Sequence, residues 1–272
     1  MAEGSEEEPL EEKKMSFMEH TVELLQRLKV ILIAVFGIGF LVGFFPLDVR
    51  KLFTLYPSSM EYEPLVSLIF KKISEDLLPE GASLIAGRFL DTAYIYLTLS
   101  ILVGVMLSSP IIAYELYKFF NPALYRSERK LAAKAVISFI GLFTMGAALC
   151  YKLILPITFR ILMWFIQSAA ALPLINVSDF VSMVVVLIIG VGLLYTSPIY
   201  ITLLVRRGIM SVDHLTRNRK YIYGIFIIII AAVTPDPTIV SDVILLIPFI
   251  AIYETTILVC KKIGKDREKR AA

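Results

Sequence analysis

The chain has 272 residues, of which 57% are hydrophobic and only 19% charged, and its formal net charge is +3. Soluble domains run nearer roughly 45–50% apolar and about 25% charged. This composition therefore excludes a water-soluble globule, a disordered chain, and a collagen-like or disulfide-built scaffold. Two cysteines, Cys150 and Cys260, are too few for a disulfide framework.

Only helices or closed barrels cross a bilayer, because lipid satisfies no backbone hydrogen bonds. The apolar runs are long and continuous rather than alternating in short strands, so the expected fold is an all-α integral membrane protein with six transmembrane helices. Residues 1–15 read as a disordered acidic tail that lacks the basic start and small-residue cleavage site of a removable signal. Ser16-Phe17-Met18-Glu19 is a capping box, so a helix is expected to begin there. With Phe17, Thr21, Leu24 and Leu28 on one face, that N-terminal helix is expected to lie in the membrane interface.

The predicted spans follow. The first covers 30–45 and the second 94–120, which stops at Asn121-Pro122 because the residue before proline avoids helical angles. The third covers 131–151, extending weakly through Trp164; the fourth covers 180–205 and ends at Arg206-Arg207-Gly208. The fifth covers 221–234 and the sixth 239–260, both expected to be short. At about 1.5 Å per residue the fifth reaches roughly 21 Å against a hydrocarbon core of about 30 Å, which demands local thinning or shielding by neighbours. Together 16–260 form the membrane domain, followed by a basic cytoplasmic tail over 261–272. Between the first two spans, 46–93 carries amphipathic stretches at 65–73 and 84–94 and is expected to cap the outer end.

Lysine and arginine counts set the orientation. They concentrate after the second span (Lys118, Arg126, Arg129, Lys130, Lys134), after the fourth (Arg206, Arg207, Arg217, Arg219, Lys220) and in the tail. Both termini are therefore expected in the cytoplasm. Cys150 and Cys260 then fall at opposite ends of their helices, too far apart for a disulfide within one chain.

The spans hold almost no ionisable groups beyond Glu115 and Glu254, both near the cytoplasmic face. Neither histidine, His20 or His214, has metal-ligand spacing around it, and no phosphate loop, HExxH helix or nucleophile elbow occurs. No enzyme activity and no metal or cofactor is expected. Near the first span, Glu19, Glu23 and Arg27 share a helix face, and spacing alone favours a local Glu23–Arg27 ion pair. Glu128 opens the third span, where a first-turn acid suits the helix dipole. The basic and aromatic turn between the second and third spans is ordinary for a cytoplasmic loop and does not imply nucleic acid.

Phe119-Phe120-Asn121-Pro122-Ala123-Leu124-Tyr125-Arg126-Ser127-Glu128-Arg129 is similar to the first-cytoplasmic-loop signature of the TatC family, the polytopic receptors of twin-arginine protein translocases. Further matches follow in order: His20-x-x-Glu23-Leu24, Ser109-Pro110-Ile111-Ile112-x-Tyr114, Gly208-Ile209-x-Ser211, Thr234-Pro235-Asp236-Pro237 and Ile247-Pro248 with Tyr253-Glu254. The resemblance implies a multi-pass cell-membrane protein. It would bind the paired arginines of signal peptides on folded cargo and assemble with small single-span Tat partners, driven by the proton-motive force. It maps the signal-binding residues onto Glu23, Phe119 and Glu128. Guanidinium is a planar fork that a carboxylate accepts bidentately, whereas ammonium is a point charge, so two carboxylates would tell arginine from lysine. An exposed ion pair is worth only about 0–1 kcal/mol, so affinity would also require partial burial and an apolar groove for the signal, expected beside the short fifth helix.

Two positions depart from the family pattern. Leu25 stands where members often carry arginine, and Thr196 where many carry an intramembrane glutamate or glutamine thought to engage the single-span partners. Thr196 and Ser197 are the candidate partner contacts, through hydrogen bonds across helices. The alternative function is a small-molecule permease, for which only Thr196, Ser197 and a few serines offer a polar path. A homo-oligomer is left open.

Overall fold

The computed structural model describes residues 17–45, 63–120, 129–233 and 239–271. Among them the fold is helical apart from two three-residue strands. Five helical stretches are long and apolar enough to cross a membrane: Thr21–Phe44, Asp91–Phe119, Ala133–Ser168, Val177–Arg206 and Asp242–Lys262. The first four expected spans and the sixth overlap these five stretches, and the expected fifth overlaps a shorter helix, Arg219–Val233.

α1 (Phe17–Phe44) runs without a break from the expected interfacial segment into the first span. Its main partner is α3 (Asp91–Phe120). The two helices approach closely because small residues line the seam. Gly39 and Gly43, four apart on α1, lie against Ser100, and a Cβ on Gly104 of α3 would come within 2.4 Å of the Val35 carbonyl oxygen. Small residues at four-residue spacing let backbones meet where lipid supplies no hydrophobic drive for helix association.

α4 (Arg129–Leu149) and α5 (Leu155–Ser168) form one continuous rod through a π-helical turn, Cys150–Ile154. Pro156 explains the turn. It lacks an N–H and its ring crowds the preceding carbonyls, and the widened turn, in which the Leu155 N–H reaches back to the Cys150 carbonyl, absorbs both effects. The third span was expected to end near 151 with weak continuation. Instead the 36 residues Ala133–Ser168 run on, about 54 Å of helix and so well past the hydrocarbon.

α6 (Val177–Tyr195) is the most enclosed helix, with Phe180, Val181, Val184, Leu187 and Val191 all buried. It packs on α3 and α4, and such burial fits a helix that is apolar on every side. The fourth span is not one unbroken helix: it breaks at Thr196, and α7 (Ser197–Arg207) restarts with Pro198 in its first turn. α8 (Val212–Arg217) is a short connector. α9 (Arg219–Val233) has 15 residues and is the shortest of the helices read as spans. The sixth span, expected to be short, is corrected: its membrane-length portion has 21 residues. α10 (Ile239–Ala271) then continues as helix through residues read from sequence as a separate tail.

At the opposite end from the start of α1, α2 (Leu65–Leu77) lies where the first amphipathic stretch was read. The second stretch is not a helix: it supplies β1 (Ser83–Ile85), parallel to β2 (Leu174–Asn176), and then the start of α3. Asp91 is 2% exposed, accepts from the Arg88 backbone N–H at 2.8 Å, and is ion-paired with the Arg88 guanidinium at 3.3 Å. The same guanidinium donates to Ser178 Oγ at 2.9 Å, tying β1's loop to α6. Asp76 of α2 is bridged to Lys72 Nζ at 2.7 Å and accepts from the Tyr151 hydroxyl at 2.8 Å. The Lys72 ammonium first, and then the Tyr151 hydroxyl, hold its carboxyl below the ordinary 3.8.

Two predictions follow from this packing. Gly104→Val forces α1 away from α3 and is expected to destabilise by about 1–3 kcal/mol, read as a lower Tm in detergent. Gly37→Ala, which meets nothing within 4 Å, leaves Tm unchanged. Because Asp76's folded-state value is depressed, its contribution is complete above the ordinary carboxylate range and lost as pH falls through the depressed value. Hydrogen exchange over 65–77 is expected to be flat between pH 6 and 8 and to accelerate below about pH 4 relative to Asp76→Asn, after correction for intrinsic rates.

Candidate functional site

At the end of the bundle where α1 begins and α3 finishes, one guanidinium holds two carboxylates. Arg27 donates through Nε to Glu23 Oε1 at 3.0 Å and through Nη2 to the same oxygen. Its Nη1 donates across the seam to Glu115 Oε2 at 3.1 Å. The three side chains are only 13–17% exposed. Four-residue spacing explains the first pair, since Glu23 and Arg27 are neighbours on one turn of α1. The close α1–α3 seam explains the second: it brings Glu115, 88 positions along the chain, within reach of the same fork.

The cluster sets two carboxylates against one guanidinium. It sits in an open groove of about 630 Å³ lined by Met18, Val22, Gln26 and Val30 beside the charged groups. Apolar walls around a half-buried carboxylate pair raise the strength of charge-assisted hydrogen bonds over those at a free surface.

Of the residues expected in the signal-binding set, Glu23 lies in this cluster. Phe119 is half-buried in the last turn of α3, four residues beyond Glu115 and so one turn along the same helix. Glu128 lies outside the described residues, as do Ser16 of the capping box and Thr234-Pro235-Asp236-Pro237. Sequence spacing identified the Glu23–Arg27 pair but not Glu115 as its third member. The available signal was that Glu115 is the lone carboxylate in the expected second span, 94–120.

Glu254 in the sixth span is also paired. It accepts from the Tyr223 hydroxyl at 2.6 Å and meets Arg219 Nη2 at 3.2 Å, joining α9 to α10. Glu115 and Glu254 are thus each matched by an arginine, which lowers the cost of a charge near lipid. At the other candidate site, Thr196 is fully buried and donates to the Leu193 carbonyl of its own helix at 2.7 Å. The adjacent Ser197 Oγ is buried without a hydrogen-bond partner. Among the described residues no group of histidines, cysteines and acids is arranged to hold a metal.

A multi-pass helical membrane protein with an arginine–carboxylate cluster at one helix end is the class that the fold and site define. The family model "Sec-independent protein translocase protein (TatC)" matches residues 19–248, and the chain belongs to that family. The TatC protein of Desulforapulum autotrophicum is 29% identical over 95% of this chain and 88% of its own length. The TatCy protein of Bacillus subtilis is 28% identical over 95% of this chain and 94% of its own length. A solved structure titled as the twin-arginine translocase receptor TatC superposes with a TM-score of 0.70 at 26% identity, covering 90% of this chain and 100% of that one. The chain is thus a membrane-bound component of the twin-arginine protein translocase, a protein-transport family, and the permease alternative is not favoured.

Replacing Glu115 by leucine removes the cross-helix bond and is expected to lower stability by about 1–3 kcal/mol. Glu115→Gln keeps an acceptor for Arg27 and is expected to cost less than half as much. Thermal unfolding of both variants in the same detergent checks the order.

Proposed function

We propose that this chain is the receptor subunit that reads twin-arginine signals. It sits in the cell membrane with six spans and both termini in the cytoplasm, so that Glu23, Phe119 and Glu128 face arriving cargo. The observation that carries the reading is the guanidinium of Arg27 lodged between Glu23 and Glu115. A site that already binds one arginine side chain with two carboxylates has the chemistry to bind another. Phe119, one turn beyond Glu115, supplies an aromatic face over which a guanidinium stacks. Glu128 contributes the further carboxylate that a second signal arginine requires. Arg27 competes for Glu23, so signal affinity stays moderate and the cargo is releasable.

The signal's apolar stretch then runs into the membrane beside the bundle. Short α9, about 22 Å long, locally thins or deforms the bilayer there. The kink at Thr196 and Ser197 is the contact for small single-span Tat partners. The Ser197 hydroxyl, buried beside the helix break with no partner in this chain, supports that assignment, since such a group gains from a hydrogen bond across helices. Passage of folded cargo draws on the proton-motive force.

Site-specific photocrosslinking from the Glu23 and Glu128 positions to a signal peptide tests the reading. Wild-type protein is expected to crosslink the twin-arginine peptide and not its twin-lysine counterpart. Glu128→Ala is expected to abolish capture by a probe placed at Phe119 while the protein stays folded and inserted, and Glu23→Ala to weaken it. Equal capture of both peptides, or unchanged capture by both variants, overturns the assignment.

A further inference from the structure

α7 packs on α10, and between this pair and α4 lies a groove of about 710 Å³. Its body is apolar despite three threonines in the wall. Thr202 donates to the Pro198 carbonyl at 2.9 Å, Thr255 to Ala251 at 2.8 Å and Thr256 to Ile252 at 2.8 Å. Those hydroxyls are spent within their own helices. At Gly141 the wall recedes: a Cβ there would meet nothing within 4 Å.

The mouth of the groove differs from its body. Lys134 of α4 and Arg206 of α7 both line it, no carboxylate does, and among the described residues neither cation is in an ion pair. Helix dipoles do not account for both. Arg206 lies in the last turn of α7, where the dipole favours a cation, but Lys134 lies toward the positive end of α4, where it does not. Two cations at a helix end above an apolar channel form an amphipathic site whose complement has a fixed anion and flexible hydrocarbon.

The geometry points to a binding site for one anionic phospholipid, its phosphate between Lys134 and Arg206 and an acyl chain along the groove past Gly141. The volume lies in the range of pockets that enclose a small molecule. A transmembrane helix brings no fixed anion to the two cations. Basic pockets between helices at a membrane surface recognise lipid phosphates in this way. The site is separate from the arginine-binding cluster on α1 and α3 and does not depend on its function.

Native mass spectrometry of the purified full-length chain tests it, with phosphatidylglycerol and phosphatidylcholine of identical acyl chains as probes. Wild-type protein is expected to retain phosphatidylglycerol preferentially. Lys134→Gln combined with Arg206→Gln is expected to lose about thirtyfold in that preference, the product of two cations each contributing roughly fivefold. Gly141→Phe fills the groove without touching the fold and is expected to lose retention of both lipids, with the delipidated protein's Tm unchanged. Equal retention of the two lipids by wild type, or an unchanged preference in the double variant, overturns the proposal. So does a Gly141→Phe variant that keeps its lipid but changes oligomeric state, which would make the groove a protein contact.

Discussion

Lipid offers a peptide group nothing to bond to, and every departure from regular helix in this protein is arranged around that fact. The π-helical turn before Pro156 keeps the third span continuous by passing the Leu155 N–H to a carbonyl one residue further back. The break at Thr196 lies in the most enclosed helix rather than on a lipid-facing one, and its hydroxyl takes up the Leu193 carbonyl. Threonines elsewhere turn their hydroxyls onto their own backbones. The same constraint governs charge: Glu115 and Glu254 each sit against an arginine.

That pairing gives the helix ends a double role. Arg27 with Glu115 clamps α1 to α3, and Arg219 with Glu254 clamps α9 to α10. Both clamps are partly exposed, so their groups are dry enough to interact strongly and wet enough to exchange. A fold that holds its peripheral helices with guanidinium–carboxylate bonds presents, at its surface, the chemistry needed to recognise guanidinium in a ligand. Structure and recognition draw on one interaction.

How much of this was legible in the sequence depended on distance along the chain. Hydropathy located the spans because burial in lipid acts residue by residue. The Glu23–Arg27 pair was legible because a helix turn brings positions four apart together. Glu115 was not, because its place beside Arg27 depends on the α1–α3 seam; Gly39 and Gly43 signal a close approach without naming the partner. The widened turn at Cys150–Ile154 was hidden for another reason: Pro156 announces a disturbance, yet whether a helix ends or absorbs it depends on surrounding packing. The sixth span, placed at 239–260, stops before the basic residues that follow, although the backbone continues as helix through them. Loop 121–128 carried the family signature in its residue types alone.

The parallel pairing of Ser83–Ile85 with Leu174–Asn176 bears on how the protein is made. Parallel strands need a crossover, and here the crossover is α3, α4 and α5, a passage down through the membrane and back. The ribosome must add roughly 90 residues after the first strand before the second exists. At roughly 5–20 residues per second, the first strand waits about 5–20 s with its backbone unpaired. During that interval the nascent chain is an open hairpin held by helices alone, with a strand edge that only water or another chain can satisfy. Closure of this small clasp marks the moment at which the segments flanking the second and third spans are joined, just before the fourth is made.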